Sequence, residues 1–216
     1  MAASVDGLPL RSEVSVESEL NAVIEKAEER FGPIDLFCSN AGIAMGDPDP
    51  LNPASVPDSA WLRNWGVHVM AHVYAARALA PKMAMRGHGY FLNTISAAGV
   101  LTAAGNGTYS TTKQAAVGFA ESLAISYRER GMRVSILCPQ GVDTPMLRKS
   151  MHGPSIADGV LSTEALAEVV VRDLGEERFL ILSHPEVLTY MQRKAADYDR
   201  WLGGMKKLFQ QRVAKR

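Results

Sequence analysis

Cysteine is scarce in this chain of 216 residues: only Cys38 and Cys138 occur. A domain of this size needs no disulfide to hold its core, and both cysteines fall in apolar runs that read as buried strands. Both are expected to be reduced core residues, as in a cytoplasmic protein. Net charge is missing too. Lys plus Arg and Asp plus Glu are both 23, so the formal net charge is +0. Such a balance provides no long-range field to recruit nucleic acid or an anionic membrane. Long apolar runs are also absent. None approaches the ~20 residues of a membrane span, and "MAASVDGLPLRSEVS" has no apolar signal core. These absences point to a cytoplasmic protein with neither nucleic acid nor membrane as partner. What remains is a 47% hydrophobic composition, enough for one domain with a sizeable core.

Periodicity organises that domain. Val16, Leu20, Val23, Ile24, Ala27 and Phe31 form a helical stripe over 16–31, with Ser15 as its cap and Gly32-Pro33 as its stop. "IDLFCSN" (34–40) reads as a buried strand, and 41–58 as a loop rich in Pro, Asp and Gly. Residues 59–86 are helical, 89–96 a second strand, 109–130 a helix and 132–139 a third strand. Residues 140–160 read as a mobile loop. A helix over 163–174, a strand over 178–182 and a last helix after Pro185 follow, the last weakened at Gly203-Gly204. Alternating strands and helices with nearly continuous apolar strands predict an α/β fold. The sheet should be parallel and covered on both faces, in three layers α/β/α.

"GTYSTTKQA" (107–115) places Tyr109 and Lys113 four apart in a helix, one above the other. A free phenol has a pKa of about 10. A nearby ammonium favours the phenolate and lowers that value, which makes the phenol a usable proton donor and acceptor for a carbonyl/alcohol pair. Ser96 ends a strand, where the loops of a parallel sheet gather around ligands. Its hydroxyl can bind the same substrate oxygen. Taken alone, Tyr-x-x-x-Lys is an ordinary helix pair.

The neighbouring motifs resemble the short-chain dehydrogenase/reductase family. "SNAG" (39–42) follows a strand, and Ser96 precedes Tyr109 by the family's usual interval. "PQGVDTPM" (139–146) resembles the Pro-Gly…Thr stretch, and 61–83 the long fourth helix. The resemblance covers nearly the whole chain and implies a Rossmann-like, doubly wound sheet as a single domain over 1–216. It also implies an NAD(P)-dependent oxidoreductase that interconverts a carbonyl and a secondary alcohol by hydride transfer. By this resemblance Tyr109 is the catalytic acid/base, Lys113 lowers its pKa and bonds the nicotinamide ribose, and Ser96 orients the substrate oxygen. Asn40, Ala41 and Gly42 lie along the adenosine side of NAD or NADP. Val142 and Thr144 contact the nicotinamide amide and the phosphates.

Three departures stand out. The glycine-rich turn that binds the pyrophosphate has no counterpart, nor do the first two strand–helix units, so the domain reads as a truncated one. "GLPLRSEVSVE" resembles the third strand, with Glu13 at its Asp position. His68 stands where the family carries an Asn that holds a water in a relay to the lysine, so it joins the candidate catalytic residues. His68 and His72 also have the i, i+4 spacing of zinc ligands, but no third ligand follows, and no metal is expected. Gln140 replaces the Gly of the Pro-Gly motif.

The readings therefore stay plural: an active oxidoreductase, a non-catalytic remnant that oligomerises or binds a partner, or part of a chain that starts further upstream. The substrate is expected to be a small, partly apolar carbonyl or alcohol. Apolar residues on more than one face of 59–86 and 108–130 point to a homodimer or homotetramer. They include Trp65, Val69, Val73, Ala76, Ala115, Ala116, Phe119, Leu123 and Tyr127. Without a neighbour, "IDLFCS" becomes an unprotected sheet edge, which "GLPLRS" or another chain can cover.

Overall fold

The computed structural model describes residues 5–148 and 156–213. In chain order α1 (Glu17–Phe31), β1 (Leu36–Ser39), α2 (Asp58–Trp65), α3 (Ala71–Arg86) and β2 (Gly89–Thr94) come first. Then follow α4 (Ala97–Val100), α5 (Gly107–Tyr127), β3 (Met132–Leu137), β4 (Gly141–Val142), α6 (Pro145–Arg148) and β5 (Val160–Leu161). The chain ends with α7 (Thr163–Gly175), β6 (Leu180–Ile181), α8 (Glu186–Ala196) and α9 (Tyr198–Val213). A π-helical turn, Gly66–Met70, joins α2 to α3.

Four strands form one parallel sheet in the order β1-β2-β3-β6. Successive side chains of a strand face opposite sides, and the core obeys that alternation. Phe91, Val134 and Ile136 pack with Leu20, Ile24, Leu79, Ala116 and Ala120 from α1, α3 and α5. Their neighbours Leu92, Leu137 and Ile181 pack on the other side against Leu166, Val169, Val170 and Leu174 of α7. The result is the expected three-layer α/β/α fold. Glycine permits one tight approach within it. Gly87 (φ 74) ends α3 and Gly131 (φ 79) leads into β3; a Cβ on Gly131 would lie 1.7 Å from the Gly87 carbonyl oxygen.

Several expectations need correction. β1 is not a buried strand. Among the described residues it pairs only with β2, its Leu36 is 44% exposed, and Cys38 lies exposed rather than in the core. Leu36 and Cys38 share the sheet face of Tyr90 and Leu92, and α7 covers that face only as far as Leu92. "GLPLRS" is not a strand and does not pair with this edge; Glu13 instead organises the start of α1. The Glu13 carbonyl accepts from the Val16 N–H at 2.9 Å, its carboxylate accepts from the Ser15 hydroxyl at 2.8 Å, and Arg63 lies 2.9 Å away. Val16, not Ser15, is the N-cap. The last helix breaks at Asp197, whose backbone is extended, while α9 runs through Gly203 and Gly204.

Residues 140–160 carry β4 and α6, and β4 pairs with β5; 149–155, with Met151, lie outside the described residues. Val69, Ala76, Ala116 and Leu123 are buried inside the chain, so they cannot also face a partner. Among the described residues no helix is long and apolar enough to cross a membrane.

Candidate active site

The site is built where β2 and β3 end. The ladder continues past β2, with the Ile95 N–H donating to the Leu137 carbonyl at 2.8 Å and the Ala97 N–H to the Pro139 carbonyl at 2.9 Å. Between these bonds the chain turns, and Ser96 caps the short helix α4 by accepting from the Ala98 N–H at 3.1 Å. Gly99 lets α4 press onto α5. A Cβ there would sit 2.6 Å from Ile95 Cγ2 and 2.9 Å from the Lys113 carbonyl oxygen. Ser96 is thereby held against the first turns of α5.

The start of α5 is fixed from the other side. Asp47 is buried and its Oδ2 accepts from the Gly107 N–H at 2.6 Å. A carboxylate at this end satisfies a free helix donor and meets the positive end of the helix dipole. Two residues on, Tyr109 stands half-buried with Lys113 on the same face. The Lys113 Nζ lies 5.7 Å from the phenol ring centroid and donates to the Thr94 carbonyl at 3.3 Å. The loop after β1 also reaches the amine: a Cβ on Gly42 would be 3.8 Å from Lys113 Nζ.

His68 closes the group. Its ring meets that of Tyr109 edge-on at 5.4 Å. Nδ1 lies 2.9 Å from Thr112 Oγ1, and Nε2 lies 3.2 Å from the Ile43 nitrogen and 3.0 Å from the Ile43 oxygen. Thr112 donates to the Thr108 carbonyl at 2.9 Å, which leaves its oxygen to accept from Nδ1–H and Nε2 to accept from the Ile43 N–H. In the other tautomer Nε2–H donates to the Ile43 carbonyl. Either way both ring nitrogens are engaged, as the π turn carries His68 onto α5.

Burial dominates the electrostatics. It pushes the Tyr109 phenol above its ordinary value, the adjacent Ser96 hydroxyl pulls it down, and Cys138 raises it. Lys113 is not among the groups that shift the phenol, and loss of water sets the direction. Lys113 is itself pushed down to about 8 by burial, with Cys138 acting in the opposite sense. Burial and the Lys113 charge hold His68 and His72 near 3, so both are neutral at pH 7. The Cys138 thiol is pushed up to about 12, again by burial.

The structure thus brings Ser96, Tyr109, Lys113 and His68 together, with Gly42 beside them. Asn40 and Ala41 stand exposed beyond β1. Val142 is buried in β4; the Thr144 hydroxyl donates to the Val142 carbonyl at 3.2 Å and accepts from the Leu147 N–H at 3.3 Å. Sequence reasoning missed Asp47, Thr94 and Thr112. Their roles depend on contacts across the fold, such as the 44 positions between His68 and Thr112, and no local pattern marks them. Among the described residues no group of three or more His, Cys, Asp or Glu is placed to hold a metal ion.

A parallel sheet with a serine at one strand end and a Tyr–Lys pair on the next helix defines a class of α/β proteins. Residues 2–154 match the family described as short chain dehydrogenase, and the chain belongs to that family. It is 34% identical over 165 residues to 1-deoxy-11-beta-hydroxypentalenate dehydrogenase of Streptomyces exfoliatus, covering 75% of this chain and 59% of that protein. It is 31% identical over 155 residues to 2-(R)-hydroxypropyl-CoM dehydrogenase of Xanthobacter autotrophicus, covering 72% of this chain and 62% of that one. The chain therefore spans less than two thirds of the length of either relative. Among solved structures, a short chain dehydrogenase/reductase from Burkholderia phymatum in complex with NAD superposes with a TM-score of 0.79 at 26% identity. That match covers 92% of this chain and 78% of the other.

Proposed function

We propose that this chain carries the reactive half of an NAD- or NADP-dependent oxidoreductase that interconverts a carbonyl and a secondary alcohol. One observation carries the reading: Ser96, Tyr109 and Lys113 converge at the ends of the two central strands. The names of the two dehydrogenase relatives and the NAD complex of the structural neighbour support it.

The residues present fit the nicotinamide–ribose end. Lys113 is a buried amine with one backbone acceptor at 3.3 Å, and Gly42 leaves room beside it. The adenosine end is less furnished. Among the described residues no strand pairs the free side of β1, and Asn40 and Ala41 are exposed there.

When bound, the nicotinamide supplies or accepts the hydride. The chain's own groups handle the proton. In reduction, Ser96 and Tyr109 both donate hydrogen bonds to the carbonyl oxygen, and Tyr109 gives up its phenolic proton as that oxygen becomes an alkoxide. The Lys113 ammonium stabilises the phenolate left behind. In oxidation the same phenolate takes the alcohol proton. The raised phenol pKa keeps Tyr109 protonated at pH 7, the state reduction needs. Lys113 loses its charge as pH rises through about 8, so reduction is expected to fall on that side.

The substrate is a small, partly apolar carbonyl or alcohol, admitted past 140–148, with Met146 on the exposed face. A homodimer or homotetramer remains part of the proposal. Exposed Leu62, Trp65, Met85 and Ile125, rather than the residues buried within the chain, are the apolar groups its helices offer. The test is nicotinamide absorbance during incubation with a panel of secondary alcohols and ketones, for the native chain and Tyr109→Phe. Turnover that falls roughly 100-fold or more in the variant supports the reading. Equal turnover in both proteins would assign the chemistry elsewhere.

A further inference from the structure

His72 lies one helical turn beyond His68, 3% exposed, and no part of the chemistry above uses it. Among the described residues neither of its ring nitrogens, both buried, has a hydrogen-bond partner, and the same is true of Oδ1 of Asn93 on β2. Buried polar groups seldom stay unpaired, because each costs its lost hydration. These atoms are neighbours. Asn93 abuts the ring closely enough to oppose the fall in its pKa, though no bond of good geometry joins them, and the Lys113 charge acts on the same ring. Lys113 has the complementary deficit. An ammonium has three donors, and Nζ makes one bond, to the Thr94 carbonyl next to Asn93. Orphaned polar groups on α3 and β2 thus lie within electrostatic reach of unused donors on α5.

We propose that His72 is a positioning residue for Lys113: with Asn93 it holds a buried water that accepts from Lys113 Nζ. The orphaned ring nitrogens and Asn93 Oδ1 are then satisfied, and Lys113 gains a second bond. One ring N–H donates to Asn93 Oδ1 after a small adjustment, the other ring nitrogen accepts from the water, and the water accepts from Nζ–H. His68 cannot take this part, since Thr112 and Ile43 occupy both its nitrogens. The groups facing Lys113 are His68 from the π turn, His72 from α3, Tyr109 from its own helix and Cys138 beyond β3. The two histidines are neutral at pH 7 and the Cys138 thiol is protonated. A hydrogen-bonded water is therefore what favours the charged amine against burial.

The inference rests on the oxidoreductase reading only for its effect on turnover, and its test is independent of turnover. Lys113 is titrated by NMR in the full chain, native and with His72→Leu or His72→Gln. Leucine removes the acceptor, and the Lys113 midpoint is expected to fall by about one pH unit. Glutamine restores an acceptor oxygen and is expected to return the midpoint toward the native value. An unchanged midpoint in His72→Leu, or no recovery in His72→Gln, overturns the proposal. If the leucine variant does not fold, a high-resolution crystal structure of the native chain decides. Density for a water within hydrogen-bond reach of both Lys113 Nζ and the His72 ring supports it, and a dry contact there overturns it. A chain without turnover but with the expected titration shift would refute the oxidoreductase reading alone.

Discussion

The middle of the sheet and its β1 edge are built to different standards. β2 and β3 are enclosed by α1, α3 and α5 on one face and α7 on the other, and Phe91, Ile136 and Ile181 are 1% exposed or less. β1 alternates between exposed and half-buried residues and has one neighbour. The groups proposed to handle the proton hang from the enclosed part: Ser96 past β2, Tyr109 and Lys113 on the helix packed over it. The residues assigned to the adenosine side, Asn40 and Ala41, hang from the exposed part. Under the proposed function, proton transfer and adenosine binding fall in separate regions, with the enclosed one holding the groups that must be aligned.

Acid should expose this difference most. His68 and His72 have folded pKa values near 3 against an ordinary 6.5, so the unfolded state binds more protons throughout that window. Stability is whole above 6.5 and is lost as pH falls from 6.5 toward about 3, by on the order of several kcal/mol for the pair. Lys113 acts at the other end. Its folded value is about 8 against 10.5, so its contribution to stability rises with pH between those values. Denaturant midpoints measured at pH 7, 5 and 4 check the acid limb, and a flat series would mean the two rings are not buried as described.

Thiol chemistry separates the regions directly. Cys38 at the edge should react with a disulfide reagent at least roughly 100-fold faster than Cys138, which sits in the core with its thiolate disfavoured. One equivalent released natively and two after denaturation is the expected count. Equal reactivity would erase the contrast.

A smaller effect is expected at the joint between α4 and α5. Gly99→Ala must push against Ile95 and the Lys113 carbonyl, at a cost of about 1–3 kcal/mol. Displacing Ser96 from Tyr109 should also slow turnover roughly tenfold. Normal stability and rate in this variant would show that the joint does not set the site.

Much of this was legible in the sequence, for reasons that can be named. β2 and β3 are short, mostly apolar segments that start at or just after a glycine, and they fall within 89–96 and 132–139. Tyr109 and Lys113 share a face because helical spacing is local, and Ser96 was marked by its place at a strand end. The rest depends on what lies across the fold. Whether "LFCS" is buried depends on its neighbours, not on its own apolar residues, so Cys38 was misplaced. Asp197 breaks the last helix where Gly203-Gly204 offered the stronger local signal. The rise in the Tyr109 pKa reflects the burial around the phenol, which a Tyr-x-x-x-Lys spacing does not report. Asp47, Thr94 and Thr112 are ordinary residues until the loop, strand and helix meet.

The central claim, that the reactive end is held by the enclosed strands while the adenosine end gains little from the β1 edge, has one direct measurement. Calorimetric titration compares NADH and NADPH with reduced nicotinamide mononucleotide, which lacks the adenosine half. All three are expected to bind the native chain with affinities within about tenfold, or 1.4 kcal/mol, of one another, and Lys113→Met is expected to weaken each. Submicromolar binding of either dinucleotide, with no binding of the mononucleotide, would contradict it.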